Sequence, residues 1–576
     1  PWEEICAMDC RFKIISNDYY DVITDYPMDG LGSDLCYADV DNFYDIIYYD
    51  RTKYLNVNEY FFGSRNVPKL YGLMQEQGIT TVGFDPNSLI ASGITQIQRD
   101  PLRLTGRGVV VCIIDTGIDY TNQAFRNPDG TSRILAIWDQ TIQEGNPPEG
   151  FQYGTEYTRE EINQALQAED PFSIVPSRDE IGHGSNLAAV AAGSRVSDGF
   201  TYQGAAPDAD IVVVKLKQCK SYMRQFYLIP QLVPAYQEND IMLAVQYADG
   251  FAELFERPVV ICLGLGTNYG DHAGSSPLGR YLNAVAVKRN RGVVVAGGNE
   301  GNARHHYQGS LNRQDVEGGG TRNVEVRVEE GVDGFILELW GGIPDAYTVS
   351  IRSPGGEVVP RVWLGVMDSV TYSFVYEKTR VTIAGSLVDP ASGEELVLMR
   401  LMDPTPGIWT FQVSAARESF NGEFHMWLPI SQFLSAPVYF LEASPYITLT
   451  EPSLSMEVIT VSTYNAANNS FYVDSGRGFS RVGTIKPDLA APGVDVPTLE
   501  GRGSGSSLAA AITAGAVAQF MQWAVVEGNN IVVESRTIKN YLIRGASRNS
   551  NMIYPNREWG YGRLNMVGTF EALIGV

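Results

Sequence analysis

The sequence predicts an α/β protein built on a doubly wound, mostly parallel sheet, with an N-terminal α+β domain and an inserted all-β domain. Continuous apolar runs at 109–114, 259–263 and 293–295 are typical of parallel strands that are covered on both faces. Helical patterns at 241–255 and 278–288 separate these runs. Strands that alternate with helices in this way favour a right-handed, doubly wound arrangement.

Composition and charge describe a globular chain that can bury a large core. The 576 residues are 44% hydrophobic and 19% charged, and the net charge is −24. This acidic balance argues against nucleic acid or an anionic membrane as the main partner. No apolar run approaches the roughly 20 residues that span a bilayer, and no secretory signal is recognisable from Pro1 onward. We therefore expect neither a nucleic-acid partner nor a membrane partner.

The cysteines are spread along the chain and lack the paired spacing of a metal site. Cys112 and Cys262 lie inside apolar, strand-like runs, which predicts that both pack in the core. A disulfide scaffold is not expected in so large a chain. The six cysteines are Cys6, Cys10, Cys36, Cys112, Cys219 and Cys262.

Residues 1–95 differ in pattern from the rest of the chain. Aromatic and β-branched residues at 19–23 and 43–49 indicate strands, without the long alternating helices that come later. We predict a small α+β domain here. The segment 87–99 looks extended and accessible, as a linker would be, and is expected to join this domain to the next.

Three polar residues stand at strand or helix junctions of the α/β part. Asp115 follows the run 109–114, and the carboxyl ends of parallel strands collect ligands and catalytic groups, although such an Asp fits a turn cap equally well. His183 stands between glycines and opens an alanine-rich helix, whereas most lone histidines are structural. Asn299 follows the run 293–295 within A-G-G-N-E-G, where its amide would point at a closely approaching ligand.

A fourth junction is the serine-rich helix start at 503–515, which reads G-S-G-S-S-L-A-A-A-I-T-A-G. A nucleophile there benefits from the positive end of the helix dipole, and the small residues let the helix pack closely. Composition alone leaves Ser506 and Ser507 as equal candidates. Such helix starts are also common without catalysis, so the prediction depends on a base and a carboxylate elsewhere in the chain.

Between 316 and 449 the pattern changes to short strands with a period of two. Val324, Val326 and Val328 alternate with charged residues, and turns rich in Pro and Gly separate similar runs. This pattern predicts an all-β sandwich inserted into the α/β domain, which resumes at 450.

Asp, His and Ser in this order, each at a glycine-rich junction, follow the order of the subtilisin triad. Five successive motifs resemble those of subtilisin-like serine proteases (subtilases). They are D-T-G-I-D at 115–119, G-H-G-S at 182–185, G-G-N-E-G at 297–301, K-P-D-L-A-A-P-G at 486–493 and G-S-S-L-A-A-A at 505–511. The resemblance implies a serine endopeptidase that works through an acyl-enzyme.

The resemblance also implies a role for each site residue. Ser507, rather than Ser506, would be the nucleophile, His183 its base, and Asp115 the carboxylate that orients the imidazole. Asn299 and the backbone N–H of Ser507 would bind the oxyanion. The channel for an extended substrate strand would be lined by two segments, Gly264-Leu265-Gly266 and Ala296-Gly297-Gly298.

Other residues near these motifs receive no catalytic role. Glu300 is expected to be a solvated carboxylate, and the adjacent His305 and His306 cannot easily chelate one ion. No cofactor is predicted, and structural calcium is left open because no dense Asp/Asn loop is recognisable. The family pattern usually has Thr, Ser, Thr and Pro at four positions where this chain has Ser185, Gly264, Ser506 and Ala511. None of these departures removes a reacting group, and His272 and His425 are expected to be ordinary.

A closer resemblance is to the Csp subfamily, the clostridial spore-germination proteases. It rests on I-I-D-T-G-I-D-Y at 113–120, S-R-I-L-A-I-W-D-Q-T-I at 132–142, L-G-T-N-Y-G at 265–270, W-G-Y-G-R-L at 559–564 and V-P-K-L-Y-G-L-M at 67–74. This resemblance implies a prodomain at 1–95, a catalytic domain at 96–315 and 450–576, and a jelly-roll insert at 316–449.

In that subfamily the prodomain is a folding chaperone and inhibitor that is cleaved in cis, and its C-terminal tail lies in the active-site cleft. The cut is expected within 87–99. The subfamily's substrate is the precursor of a spore-cortex hydrolase, so the implied partners are the chain's own prodomain and such a precursor, and the implied location is the spore. Two alternatives stay open: a catalytically silent, Csp-like signalling pseudoprotease, and a general subtilisin-like protease. The presence of Asp115, His183, Ser507 and Asn299 favours the active enzyme.

Overall fold

The structure is a computed structural model of the whole chain. It describes residues 10–25, 36–53, 66–74, 87–196, 203–311, 320–365, 368–416 and 421–574.

The N-terminal part forms a small antiparallel sheet against the main body of the protein. Its strands are β1 (Tyr19–Thr24), β2 (Cys36–Asp39) and β3 (Asp45–Asp50), with β3 in the middle. A disulfide joins Cys10 to Cys36, which the sequence did not predict. The side chains of Ile23 and Ile46 are buried in one cluster with residues of the main sheet. A further strand, β4 (Leu70–Leu73), does not belong to this sheet and pairs with two short strands of the main domain.

The segment that was predicted to be an extended linker is helical instead. It contains α1 (Asn87–Ala91) and α2 (Ile94–Ile97), and the side chains of Leu89, Ile94 and Ile97 are buried in the main core. Apolar residues three to five positions apart along 89–97 place one face of these turns on the core, and Gly93 breaks the helix between them. The linker prediction was therefore wrong.

The first half of the main domain alternates strands and helices, as predicted. Its strands are β5 (Val110–Asp115), β6 (Ile134–Asp139), β7 (Thr155–Thr158), β8 (Asp210–Lys215), β9 (Tyr236–Gln237), β10 (Val259–Leu263), β11 (Leu265–Gly266) and β12 (Arg291–Ala296). Its helices are α3 (Arg159–Gln167), α4 (His183–Ala192), α5 (Ser221–Tyr227), α6 (Glu238–Leu254) and α7 (Pro277–Ala286). Cys112, Cys219 and Cys262 are free and buried, so the core prediction for the first and last is confirmed.

The next segment forms two antiparallel sheets that share one hydrophobic cluster. Its strands are β13 (His306–Ser310), β14 (Thr321–Val328), β15 (Gly334–Gly341), β16 (Tyr347–Arg352), β17 (Val358–Val362), β18 (Asp368–Ser373), β19 (Arg380–Ser386), β20 (Glu395–Met402), β21 (Gly407–Ala415), β22 (Glu423–Trp427) and β23 (Val438–Phe440). The sheet orders are β13-β22-β15-β20-β19-β18 and β17-β16-β21-β14-β23. The strand β13 lies before residue 316, where the sequence analysis placed the start of the insert, so the inserted sheets include a strand from earlier in the chain.

The chain then returns to the main domain. The remaining elements are β24 (Ile459–Asn465), β25 (Ser470–Phe471), β26 (Leu489–Pro492), β27 (Val496–Thr498), β28 (Gly501–Gly503), α8 (Ser506–Met521), α9 (Ser535–Gly545) and α10 (Met566–Leu573). β24, β25 and β26 join β5–β8, β10 and β12 in a nine-stranded sheet of order β25-β24-β12-β10-β5-β8-β6-β7, with β26 beside β24, whereas β27 and β28 pair only with each other. The pairs β5–β10, β10–β12 and β5–β8 are parallel, which confirms the prediction of a mostly parallel sheet.

Helix α8 runs through the centre of the main domain. With the π turn that follows, the segment 506–526 is long and apolar enough by composition to cross a bilayer, contrary to the sequence prediction. Most of it is buried inside the protein, as in the core helix of a globular domain. Its small residues permit close packing: a Cβ atom on Gly515 would lie 2.6 Å from the carbonyl oxygen of Ala191 in α4.

Candidate active site

Three element ends meet on one side of the main sheet. Asp115 is the last residue of β5, His183 is the first residue of α4, and Ser507 is the second residue of α8. The carboxyl edge of a doubly wound sheet gathers groups that are far apart in sequence, which is how these three come together.

A hydrogen-bonded chain links the three side chains. The Nδ1 atom of His183 lies 2.7 Å from Asp115 Oδ1, and its Nε2 atom lies 3.2 Å from Ser507 Oγ. Because the carboxylate accepts at Nδ1, that nitrogen carries the ring proton, and Nε2 is left to accept the serine hydroxyl. All three side chains are buried, with relative exposures of 3% or less. The arrangement has the geometry of a nucleophile, a base and an orienting carboxylate.

Asp179 holds this chain in place and was missed by the sequence analysis. Its Oδ1 accepts hydrogen bonds from Thr116 Oγ1 and Gly182 N, both at 2.8 Å, beside Asp115 and His183. Its Oδ2 accepts from the backbone and the hydroxyl of Ser185 at 2.8 and 2.7 Å. Ser185 therefore keeps the hydroxyl contact that a Thr at this position would supply. A carboxylate just before the start of a helix was the available signal.

Two donors converge on a backbone oxygen that belongs to the N-terminal part of the chain. The side-chain amide of Asn299 donates to the carbonyl oxygen of Met74 at 2.7 Å, and the N–H of Ser507 donates to the same atom at 3.2 Å. Asn299 is oriented by the N–H of Ser506, which donates to its Oδ1 at 3.0 Å. The hydroxyl of Ser506 accepts from Gly298 N at 3.0 Å. Geometry thus separates the two serines: Ser507 contacts His183, and Ser506 supports the oxygen-binding site.

The residues before Met74 run through the site as an added strand. Strand β4 pairs antiparallel with β11, with Leu73 opposite Leu265 and Gly72 opposite Gly266. The N–H of Met74 donates to the carbonyl of Gly264 at 2.9 Å. On its other side β4 pairs with β9, which the sequence analysis did not identify as part of the channel.

The second predicted channel segment lies at the end of this strand rather than along it. Ala296 ends β12, and Gly297 exchanges backbone hydrogen bonds with Val461 and Thr450. Thr450 packs close to both Gly298 and Gly266, and the sulfur of Met74 lies 3.2 Å from the position of a Cβ atom on Gly266. Thr450 thus lies between Gly298 and the strand β11, and in the described parts of the chain the ladder to β4 is formed by β9 and β11.

A turn of the inserted segment packs against one face of β4. The side-chain amide of Gln432 donates to the carbonyl oxygen of Leu73. A Cβ atom on Gly72 would lie 2.6 Å from Ile430 Cδ1 and 2.8 Å from Gln432 Cδ, so only a glycine fits there without a shift. This contact could not be found from sequence because the insert is far from 67–74 along the chain.

Glu300 anchors that turn beside Asn299. It is 5% exposed, its Oε2 lies 2.6 Å from His305 Nδ1, and its Oε1 accepts from Ser431 N at 3.0 Å. The prediction of a solvated carboxylate was wrong, because a histidine and a backbone N–H from the insert replace water around it.

The remaining three histidines are buried and stack with Trp427; they are His272, His306 and His425. Burial lowers the pKa of His272 to about 4, and it also lowers the pKa values of His306 and His425. Within the residues that the structure describes, no group of three or more His, Cys, Asp or Glu side chains is arranged to hold a metal ion.

The chain is similar to known proteins both in sequence and in structure. The sequence model of a family described as the Subtilase family matches residues 106–321 and 444–562. The solved structure of the Clostridium perfringens CspB protease is 30% identical, and the match covers 85% of this chain and 100% of that chain with a TM-score of 0.74. A curated relative, the serine protease AprX of Bacillus subtilis (strain 168), is 28% identical over 126 residues. That match covers 22% of this chain and spans a fifth of the length of AprX (20%).

Proposed function

The chain belongs to the subtilase family, and from that premise we propose that it is a serine endopeptidase that cuts its own chain after Met74 and then acts on a protein substrate. The observation that carries this proposal is the pair of donors on the Met74 carbonyl oxygen. Asn299 Nδ2 at 2.7 Å and Ser507 N at 3.2 Å have the positions of oxyanion donors around a scissile carbonyl.

In the proposed reaction, Ser507 Oγ attacks the Met74 carbonyl carbon while His183 Nε2 takes the hydroxyl proton. Asp115 stabilises the imidazolium, and Asn299 and the Ser507 N–H stabilise the oxyanion. The C–N bond to the next residue then breaks, and His183 returns the proton to the leaving amine. Water hydrolyses the acyl-enzyme on Met74, with His183 again taking a proton and returning it to Ser507.

We assign the end of the prodomain to Met74 rather than to a bond within 87–99. Two observations support this: Met74 lies at the reacting groups, whereas Ser92, Ile94 and Ile97 are buried in the packing of α1 and α2. A scissile bond must be extended within the cleft, which a buried helical turn is not. The proposed domains are then a prodomain at 1–74 and a catalytic domain at 75–315 and 450–576, interrupted by a jelly-roll insert at 316–449.

The N-terminal segment would act as an inhibitor while it stays in the cleft. Its contacts support this role, because β4 is held on two sides by β9 and β11 and above by Gln432. The substrate in trans would be a protein precursor activated by limited proteolysis. By likeness to the CspB protease, we propose a spore-cortex hydrolase precursor as that substrate and the spore as the location, with no cofactor and no nucleic-acid or membrane partner.

The proposal is tested by intact mass spectrometry of the full chain and two matched variants. The parent should split, and Ser507→Ala should stay whole because the attacking oxygen is gone. Ser506→Ala should split more slowly than the parent but not stay whole, since its hydroxyl supports Gly298 in the oxygen-binding site without contacting His183. A folded parent that stays whole would favour the signalling pseudoprotease. If Ser507→Ala splits like the parent, the cut belongs to another protease.

A further inference from the structure

The side chain of Lys69 is buried at the far end of the strand that runs through the cleft. Lys69 is the sixth residue before the proposed scissile bond if Met74 is the first. Its N–H donates to Glu238 Oε2 at 3.0 Å, and its carbonyl oxygen accepts from Glu238 N at 2.9 Å. The ammonium group lies 3.8 Å from the same carboxylate, and the residue is 6% exposed. One glutamate thus contacts both the backbone and the charge of Lys69.

Three more carboxylates act on this ammonium group, and each comes from a different part of the chain. Glu338 lies on β15 of the insert, Asp389 lies between β19 and β20, and Glu451 follows the insert. Burial alone would lower the pKa of Lys69, but Glu238, Asp389, Glu338 and Glu451 together raise it above its ordinary value. All four carboxylates are buried, with exposures of 6% or less. The pocket is therefore strongly acidic and closed to water.

The pKa values of two of these carboxylates depend in turn on the charge of Lys69. Burial raises the pKa of Glu338 to about 7 and the pKa of Glu451 to about 8, and the Lys69 charge lowers both values. The Oε2 atom of Glu451 has no hydrogen-bond partner in the part of the chain that the structure describes. An unpartnered buried carboxylate oxygen is costly unless a cation faces it.

The pocket also fits the length of a lysine side chain. A Cβ atom on Gly270 would lie 3.4 Å from Lys69 Cε and 3.6 Å from Glu451 Cγ. Gly270 has a φ of +121°, and its N–H donates to Glu338 Oε2 at 3.0 Å. The lysine stem therefore lies against this glycine, which also binds one of the acidic groups.

We propose that Glu238, Glu338 and Glu451 form a subsite for a lysine side chain at the sixth position before the scissile bond. This inference rests on the proposed function. The chain's own segment K-L-Y-G-L-M fills the subsite first, and protein substrates would be selected by a lysine at the same distance from the cut. The insert thus takes part in recognition, because it supplies Glu338.

The first test is the rate of self-cleavage in full-length variants of Lys69. Lys69→Met keeps the length of the side chain and removes its charge, and it should slow the cut after Met74 by about tenfold or more, because buried carboxylates lose their cation. Lys69→Arg keeps the charge but is longer than lysine, so it should slow the cut less than Lys69→Met does. A Lys69→Met chain that cleaves at the parent's rate would overturn the subsite.

A second readout does not depend on catalysis. In the Ser507→Ala chain, hydrogen exchange of the Leu70–Met74 amides should become about tenfold faster with Lys69→Met and should increase less with Lys69→Arg. The amides of β10 should keep their protection in both variants. Unchanged exchange at Leu70–Met74 would reject the subsite even if the parent never cleaves itself, whereas absence of cleavage alone counts against the proposed function.

If Lys69→Met does not fold, the Glu451→Gln variant tests the subsite instead. This variant keeps Lys69 and, at pH 9, above the Glu451 pKa of about 8, removes one carboxylate charge with little change in shape. Self-cleavage about threefold slower, with faster exchange at Leu70–Met74, supports the subsite. Parent values in both measurements reject it.

Discussion

Very little space surrounds Ser507, and Gly264 shows this at the scale of one residue. A Cβ atom on Gly264 would lie 2.5 Å from Leu187 Cδ2, 3.1 Å from His183 Cε1 and 3.2 Å from Ser507 Cβ. The subtilase motif that this segment resembles usually has Ser at this position, and the Leu187 methyl group leaves no room for a Cβ atom here without a shift.

We expect Gly264→Ser to slow self-cleavage by about tenfold or more, because it pushes the His183 ring from its position beside Ser507. The rate is measured by the fraction of full chain cleaved with time. Gly342→Ser is the matched control, since nothing lies within 4 Å of a Cβ atom there. Adding Leu187→Ala to Gly264→Ser should restore part of the rate. A parent rate for Gly264→Ser would contradict the crowding argument.

At the scale of elements, the inserted sheets carry a buried acid that makes their stability depend on pH. Glu395 on β20 is 2% exposed and accepts from Tyr347 N at 2.7 Å, and burial raises its pKa to about 8. The folded protein therefore binds more protons than the unfolded chain between the ordinary pKa and this value. The stabilising contribution is full at low pH and is lost as the pH rises through about 8.

We therefore expect the melting temperature of the parent to fall between pH 5 and pH 8, and Glu395→Gln to reduce that fall. Each unit of pKa difference corresponds to about 1.4 kcal/mol, so the total is a few kcal/mol at most. Calorimetry across this range measures it. The exposed Glu330→Gln serves as the control and should keep the parent's slope. An unchanged slope in Glu395→Gln would refute the assignment.

The sequence was sufficient to predict those elements whose apolar residues form a continuous run or alternate regularly with polar ones. The buried strands β5, β10 and β12 and the alternating strands of the insert were predicted in type and order. The turns α1 and α2 were not, because Gly93 interrupts the helical spacing and leaves pieces of five and four residues. Short pieces of this kind gain their stability from packing, which sequence periodicity does not report.

The site was predictable only where a motif carries the residue. Asp115, His183, Asn299 and Ser507 each stand in a glycine-rich junction, and the structure brings all four together. Asp179, Gln432 and the acidic pocket stand in no motif. Their roles come from contacts between segments that are distant in sequence, so only the folded arrangement reveals them.

At the scale of the whole molecule, the N-terminal segment is built into the main domain. Asp21 of β1 pairs with Lys220 in the core, and its other oxygen accepts from Gln237 Nε2 at 2.6 Å. Both Asp21 and Lys220 are almost fully buried. Breaking one bond after Met74 would leave these contacts and the shared core intact, and the proposed action on a substrate then requires only β4 to leave the cleft.

We expect the two pieces to stay together after self-cleavage. Native mass spectrometry should show a 1:1 complex that separates only in denaturant. Asp21→Ala should weaken the complex, because it leaves the Lys220 ammonium buried without its partner. The exposed Asp18→Ala is its control. A free N-terminal piece in native buffer would show that these contacts do not hold it.

The most direct test of the account is the mass of the N-terminal piece released from the parent chain by denaturant. The position of the Met74 carbonyl oxygen between Asn299 and Ser507 predicts a fragment that ends at Met74, with the larger piece beginning at Gln75. A fragment that ends within 87–99, or at any residue other than Met74, would contradict the assignment of the scissile bond.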